Sequence, residues 1–416
     1  MITATQFEFN QTGDQEIEGL GGIPAVRREF RCTVTGKGLP DELVFTGEAR
    51  TLPERHPNGN WAVLSLLIPA MAVGEDLHID APVSPLLLYN LNNDIQHLLT
   101  IYNTNLSRIR ITAAPQDTPT PGTRVATGFS AGVDSFTTLA MFEGADMPPA
   151  LRLDSLTTFD VGAMGDTSES EPLYRDYCAR VRTYAIENGL EWFTLATNIA
   201  DFYSGPDCSF QKTHILRNTA AASFFGDVFQ TYLYSSTFPY PQVNKGHYDI
   251  ADIEPILLPL LASENMRVLS AGAGLTRMDK TRIVAGYGPA ISHLDVCATG
   301  ARVRMTLPYK NCSKCWKCSR TMVSLDLCDA LDAFSAVFDV DRYHRDRATY
   351  FNTVRDSAMN NKPADLDVYN QMLEKGLVAP ETWLKQRLRR VWRNGLSPTT
   401  RQKLGALRRK MRRQPG

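Results

Sequence analysis

The sequence predicts an α/β protein: a parallel sheet with helices on both faces, preceded by a β-rich α+β module and followed by a helical, basic tail. Three observations carry that prediction. From Arg124 to about Ala336, β-branched apolar runs alternate with helical stretches, the pattern that builds parallel sheets. The first of those runs passes straight into a helix through a small polar turn, "VATGFSAGVDSFTTLAMF". The segments on either side differ in kind, so three regions are expected in the 416 residues: 1–118, 124–336 and 340–416.

In the first region "REFRCTVTG", "ELVFTGEAR", "WAVLSLLIPA" and "RIRITAA" have strand character, with partial alternation and β-branched residues. "VSPLLLYNLNNDIQHLLTIY" reads as helix, with Ser84 as N-cap and Pro85 as the first helical residue. "APQDTPTPGTR" is rich in Pro and Thr and reads as a linker. In the central region the strands are "RVATGF", "SLTTFDV", "EWFTLAT", "QTYLYSS" and "RVLSAG". Helices are expected between them at Ser135–Phe142, Glu171–Asn188 and Thr213–Phe225. Beyond Asp339 the chain is polar and helical. "WLKQRLRRVWRNGL" puts Leu384, Leu388, Val391, Trp392 and Leu396 on one face, Pro398 stops it, and Leu404, Leu407 and Met411 mark a second basic helix.

Composition is that of a soluble globular protein, 43% apolar and 21% charged. The first residues have neither the basic nor the apolar part of a secretory leader, and "WAVLSLLIPAMAV" is too short to span a bilayer. The expected location is the cytoplasm, with no transmembrane segment. Net charge is −1 but unevenly spread. Twelve of the 44 lysines and arginines fall between Lys385 and Arg413, where there is no acid, leaving 32 bases against 45 acids elsewhere. The basic tail has three readings: an amphipathic helix on the chain's own acidic body, a nucleic-acid contact, or a hold on a partner protein or anionic membrane surface.

The turn Ser130-Ala131-Gly132-Val133-Asp134-Ser135 places free helix-start amides, two hydroxyls and a glycine where a strand ends. Unpaired N–H groups and the helix dipole favour an anion there, usually a phosphate. Gly132 lets the backbone approach it. Asp134 would repel bare phosphate, so it either orients the loop or helps hold a magnesium ion against the phosphates. The alternative is an ordinary βα turn with Ser130 or Asp134 as a cap. The stretch is neither a Walker A loop nor a dinucleotide fingerprint.

Eight cysteines in such a chain point to metal or catalysis before disulfides. Cys297 followed by Cys312, Cys315 and Cys318 matches a closed four-thiolate site, which zinc takes as a structural tetrahedron. An iron–sulfur cluster uses the same ligands. Lys310, Lys314, Lys317 and Arg320 would offset the thiolate charge. Cys32, Cys178, Cys208 and Cys328 lack metal spacing and read as small hydrophobes, with Cys208 in "SGPDCSFQ" the best placed for a catalytic thiol.

The turn resembles the PP-loop, Ser-Gly-Gly-x-Asp-Ser, of the ATP-pyrophosphatase superfamily, with Ala131 in place of the first glycine. If that residue must adopt positive φ, alanine costs about 1 kcal/mol. A PP-loop followed by C…C-x-x-C-x-x-C looks like 7-cyano-7-deazaguanine synthase and its relatives, over about Arg124 to Met322. The larger synthase-like proteins with an extra N-terminal β-rich module are the nearer likeness, and some of these act in bacterial antiphage defence, where relatives attach a deazaguanine to a protein. The resemblance implies a Rossmann-like PP-loop core, with ATP, Mg2+ and Zn2+ as cofactors. It implies a ligase that adenylates a small carboxylate, releases pyrophosphate and forms an amide or nitrile, with a protein among the possible acceptors. Ser130, Ala131, Gly132, Val133, Asp134 and Ser135 would hold the nucleotide, and Asp134 and Ser135 would serve the chemistry. "GLTRMDKTRIVAG" resembles the Arg-x-Glu-Lys segment of relatives, which assigns Arg277 and Lys280 to the reaction. Read from its residues alone, the same segment is a helix start with Thr276 and Asp279 as a capping box.

Further residues have two readings each. Asp160, ending the second central strand, either contacts ribose or base, or caps the next turn. Lys245, His247, Asp252 and Glu254 form a substrate loop or a solvated polar loop. His214 and Arg217 open a helix on one side, where a lone His is more often structural. Two other functions fit the fold: an RNA-modifying sulfur transferase using Cys208 and the basic tail, and a non-catalytic nucleotide-binding scaffold.

Overall fold

The computed structural model describes residues 1–16, 24–53, 58–117, 122–164, 170–244, 248–299, 308–360 and 363–379. The helices expected from Leu384 onward, Lys245 and His247 lie outside the described residues. Two compact units are distinguished, Met1–Val368 and Tyr369–Gly416.

The N-terminal strands are β1 (Ile2–Glu16), β2 (Pro24–Thr35) and β3 (Glu42–Ala49). β2 and β3 bury alternate residues, as the period-two pattern of a half-covered strand requires. Helix α1 (Asn60–Val73) follows, then β4 (Leu77–Val83). α2 (Pro85–Asn90) runs through a π turn (Leu91–Ile95) into α3 (Gln96–Tyr102), and β5 (Ile111–Pro115) closes the region. Ser84 caps α2 by accepting from the Leu87 N–H at 3.0 Å, with Pro85 at the first helical position, as expected.

"WAVLSLLIPA", expected as a strand, is the helix α1. Every residue from Asn60 to Met71 is buried, so the segment has no polar face to show a helical period. Its Leu, Ala and Met content favours helix once tertiary contacts bury all sides. Gly74, at φ 70°, ends it in the left-handed cap conformation.

The five central strands fall where expected: β6 (Arg124–Gly128), β7 (Ser155–Asp160), β8 (Glu191–Thr197), β9 (Phe229–Ser235) and β10 (Arg267–Ala271). The helices among and after them are α4 (Val133–Phe142), α5 (Ser170–Glu187), α6 (Phe210–Phe224), α7 (Glu254–Leu260), α8 (Arg277–Ala285), α9 (Gly288–His293), α10 (Trp316–Leu327), α11 (Val340–Ala358) and α12 (Pro363–Glu374).

One ten-stranded mixed sheet runs in the order β10-β9-β6-β7-β8-β3-β2-β1-β4-β5. β10, β9, β6, β7 and β8 are mutually parallel, a doubly wound half whose order reverses between β6 and β9. β3 joins antiparallel to β8, with Gly47 opposite Leu195, so the strands of residues 1–118 extend the same sheet. Helices cover both faces. Trp192 of β8 stacks under Arg182 of α5, while the next residue, Phe193, meets Phe225 beyond α6. Neighbouring strand residues point to opposite faces, so α5 and α6 lie on opposite sides. Ser235 and Tyr234 repeat the pattern, one bonded to Thr138 of α4 and the other to His214 of α6. On the α6 side α1 packs against α6, and Trp61 sits 4.9 Å from the Phe45 ring.

Candidate functional site

The switch point between β6 and β9 is where open α/β sheets leave a crevice at their strand ends. The Ser130–Ser135 turn occupies it. Ala131 takes φ 55°, the left-handed region that a glycine would enter without steric cost. Its carbonyl accepts from the Asp295 N–H at 2.7 Å. The Gly132 N–H donates to Ser130 Oγ at 3.3 Å, and Ser135 Oγ donates back to the Gly132 carbonyl at 3.1 Å. Gly132 is the N-cap of α4, and no side chain caps that helix. Ser130 is exposed and Ser135 is buried, so the loop presents one hydroxyl outward and uses the other to brace itself. Thr138 ties α4 to Ser235 of β9 at 2.9 Å, across the switch point.

Asp134 sits in the first turn of α4 and meets two cations. Lys280 Nζ donates to Oδ1 at 3.0 Å and Arg277 Nη2 to Oδ2 at 3.1 Å. Burial pushes the Asp134 carboxyl up, but Arg277 and then Lys280 outweigh it and hold the group below the usual carboxylate range. Lys280 is 2% exposed and also donates to the Ser236 carbonyl just past β9. One ammonium therefore ties α8, α4 and the end of β9 together.

Of the two readings of the Arg277–Lys280 segment, the helix start is seen directly. Thr276 and Asp279 form a capping box at the start of α8, and Lys280, the next residue, reaches Asp134. The magnesium role of Asp134 finds less support. Asp134 is the only acid in the first turn of α4, and each of its oxygens already accepts from a cation.

Asp160 stands at the carboxyl end of β7, on the same edge as the loop. Its charge acts on Tyr174 and Cys178 of α5. Arg217 is structural: its guanidinium donates to Thr213, to the Val161 carbonyl and to the Cys208 carbonyl, over the Tyr203 ring. His214 bridges Tyr234 at 2.6 Å and Asp249 at 3.0 Å. Glu254 is not a solvated loop residue. It opens α7, is fully buried, and accepts from Ser270 Oγ at 2.6 Å and the Thr237 N–H at 3.2 Å. Burial pushes its carboxyl up to about 7, against the opposing bonds from Ser270 and Thr237 and the charge of Lys280.

The four expected cysteines converge. The Sγ atoms of Cys297, Cys312, Cys315 and Cys318 lie within 4.8 Å of one another, with Cys315–Cys318 at 3.4 Å and Cys312–Cys318 at 3.8 Å. Those separations suit sulfurs about 2.3 Å from one tetrahedral ion such as Zn2+. Donors surround them: the Cys315 N–H and Thr299 Oγ1 each reach Cys312 Sγ at 3.2 Å, which favours thiolates. Buried Asn311 fixes the turn by donating to the Leu294 and Val337 carbonyls and accepting from the Val296 N–H. Tyr350 donates to the Ser313 carbonyl at 2.6 Å.

The basic residues near the cysteines make contacts of their own. Lys310 donates to the Ser292 carbonyl. Arg320, on α10, faces Asp365 at 3.8 Å and feels the charges of Arg277 and Asp134; Lys317 feels Asp134 and Arg277 as well. Burial, then the charge of Arg277, brings the Arg320 guanidinium down to about 10. Sequence reasoning missed this placement. The signal was the i, i+3 spacing of Lys317 and Arg320, which sets both on one side of a helix.

A cavity of about 300 Å³ adjoins the loop, with Phe129, Ala131, Arg180, Tyr184, His293 and Lys310 among its walls. Arg180 is held there by Asp295 at 2.6 Å, the residue whose N–H binds the Ala131 carbonyl. Among the remaining cysteines, Cys208 is 3% exposed and burial raises its thiol above the ordinary value.

Comparison of the chain with protein-family models, with curated proteins and with solved structures finds no match.

Proposed function

We propose that the chain is an ATP-dependent ligase that activates a carboxylate by adenylation and passes it to an amine. One observation carries the reading: an uncapped helix start at the switch point of a doubly wound sheet, beside Arg277 and Lys280. Such a site offers amide hydrogens and fixed positive charge to a polyphosphate. In the reaction a carboxylate oxygen attacks the α-phosphorus, the bond to the bridging oxygen breaks, and pyrophosphate leaves. The amine then adds to the acyl carbon, AMP departs and the nitrogen loses a proton. Magnesium enters with the nucleotide as its phosphate complex. Arg277 and Lys280 would exchange part of their hold on Asp134 for phosphate oxygens. The four-cysteine centre is structural in this reading, since a closed set of thiolates leaves no position for substrate.

The resemblance to deazaguanine synthases points to a 7-deazaguanine-type carboxylate as the first substrate to try. The sulfur-transferase alternative has less support, because Cys208 is buried and its thiol is held protonated. Incubation with Mg-ATP and a panel of aromatic carboxylates, with ammonia or a primary amine, is expected to release AMP and pyrophosphate. Release of ADP and phosphate would refute adenylation. Tight ATP binding without turnover across the panel would favour a scaffold.

A further inference from the structure

Two strands of structure run from the cysteine centre to the loop. Upstream, Asp295 lies two residues before the ligand Cys297; its N–H holds the Ala131 carbonyl at 2.7 Å, and its carboxylate accepts from the Cys297 N–H at 3.4 Å. Downstream, Cys315 is the N-cap of α10, and Cys318 lies in the first turn of that helix. Lys317 in that turn and Arg320 at the start of the next lie on a helix that packs against α8, and both feel the charges of Arg277 and Asp134. Among the described residues, Arg277, Lys280, Lys317 and Arg320 lie within reach of the Asp134 and Asp365 carboxylates, with buried Glu254 also beside Lys280 and the Cys315 sulfur beside Lys317. Arg277 is nine-tenths buried, and its Nε, like that of Arg320, has no hydrogen-bond partner. Buried guanidinium groups are ordinarily satisfied, so these two unmade bonds beside the loop leave donors that an anion with several oxygens would take up.

We propose that Arg320 and Lys317 are anion-binding residues of the loop site and that metal binding by the four cysteines sets their position, so that metal and a pyrophosphate-type anion bind cooperatively. The proposal deepens the reading of the loop as a polyphosphate site and rests on it. A metal fixes Cys297, Cys312, Cys315 and Cys318 relative to one another. It thereby fixes Asp295 against the loop and the first turn of α10 against α8. Coupling of this kind is reciprocal: the factor by which metal tightens the anion equals the factor by which the anion tightens metal.

The test uses the full chain loaded with Zn2+ and inorganic pyrophosphate as probe. Titration calorimetry is expected to show pyrophosphate binding that weakens about tenfold when the metal is removed, within the usual range of such couplings. Equilibrium competition for Zn2+ against a chromogenic chelator, corrected for the Zn2+–pyrophosphate complex, is expected to show metal affinity about tenfold higher in saturating pyrophosphate. Arg320→Gln is expected to keep its metal and lose about tenfold in pyrophosphate affinity. Equal pyrophosphate affinity with and without metal, equal metal affinity with and without pyrophosphate, or an Arg320→Gln variant that binds as the parent does would each overturn the proposal while leaving the polyphosphate site standing. Failure of the loaded protein to bind pyrophosphate at millimolar concentration would instead remove the polyphosphate reading, and this proposal with it.

Discussion

Ala131 holds a left-handed backbone conformation at the loop, where a side chain costs about 1 kcal/mol relative to glycine. Ala131→Gly should therefore raise stability by about 1 kcal/mol in urea unfolding. Lys280 is the most buried cation of the site, bonded to Asp134 and the Ser236 carbonyl. In the proposed reaction Lys280→Met should lower AMP formation about a hundredfold or more, the scale of losing one preorganised charge contact, measured with the variant's folding checked by circular dichroism. Glu254 gives a pH signature. Its folded-state value of about 7 lies above the ordinary 4.5, so the folded form binds the proton more tightly than the unfolded one. Its contribution is fully present below about pH 4 and is lost as pH rises through 7. Between pH 5 and 8 the parent should lose up to about 3 kcal/mol more stability than Glu254→Gln. Parallel stability curves for the two proteins would contradict this.

Among the elements, β3 decides how the N-terminal strands meet the parallel half. Gly47 on β3 lies under α6, and a Cβ there would come within 2.5 Å of the Phe224 ring and 2.7 Å of the Phe225 ring. Gly47→Ala should cost about 1–3 kcal/mol by overpacking, read as a lower midpoint in thermal unfolding. The cysteine element makes its own prediction. Purified protein should carry one tightly bound metal per chain, and Cys312→Ser should reduce metal content sharply, as measured by elemental analysis. Cobalt substitution should give the thiolate charge-transfer absorption of a four-sulfur site. Two clustered irons or more would replace zinc with an iron–sulfur assignment.

On the scale of the whole molecule, the ten strands make one sheet, and Met1–Val368 form one compact unit. Residues 1–118 and 124–336 read as separate regions in sequence, yet β3 pairs with β8 over five residues, and α1 packs on α6. A fragment beginning at residue 122 would leave β8 as an exposed edge and strip the apolar cover from α6. Such surfaces associate, and the fragment is expected to aggregate or lack a cooperative transition, while the full chain unfolds in one main step. Among the described residues no helix is long and apolar enough to cross a membrane.

Local signals in the sequence determined the five central strands, the Ser84-Pro85 helix start, the Thr276–Asp279 capping box and the grouping of the four cysteines. Each depends on residues close together in the chain, where periodicity, capping chemistry and ligand spacing act directly. Tertiary structure alone decided that Trp61–Ala70 is helical, because a segment buried on every side shows no period. It alone joined β3 to β8 and carried Arg277 and Lys280 across to Asp134, some 140 residues away in the chain. It alone turned Arg320 from the thiolates toward that same cluster. Pairings at such separations are chosen by the packing of the whole core, and no window of local sequence contains them.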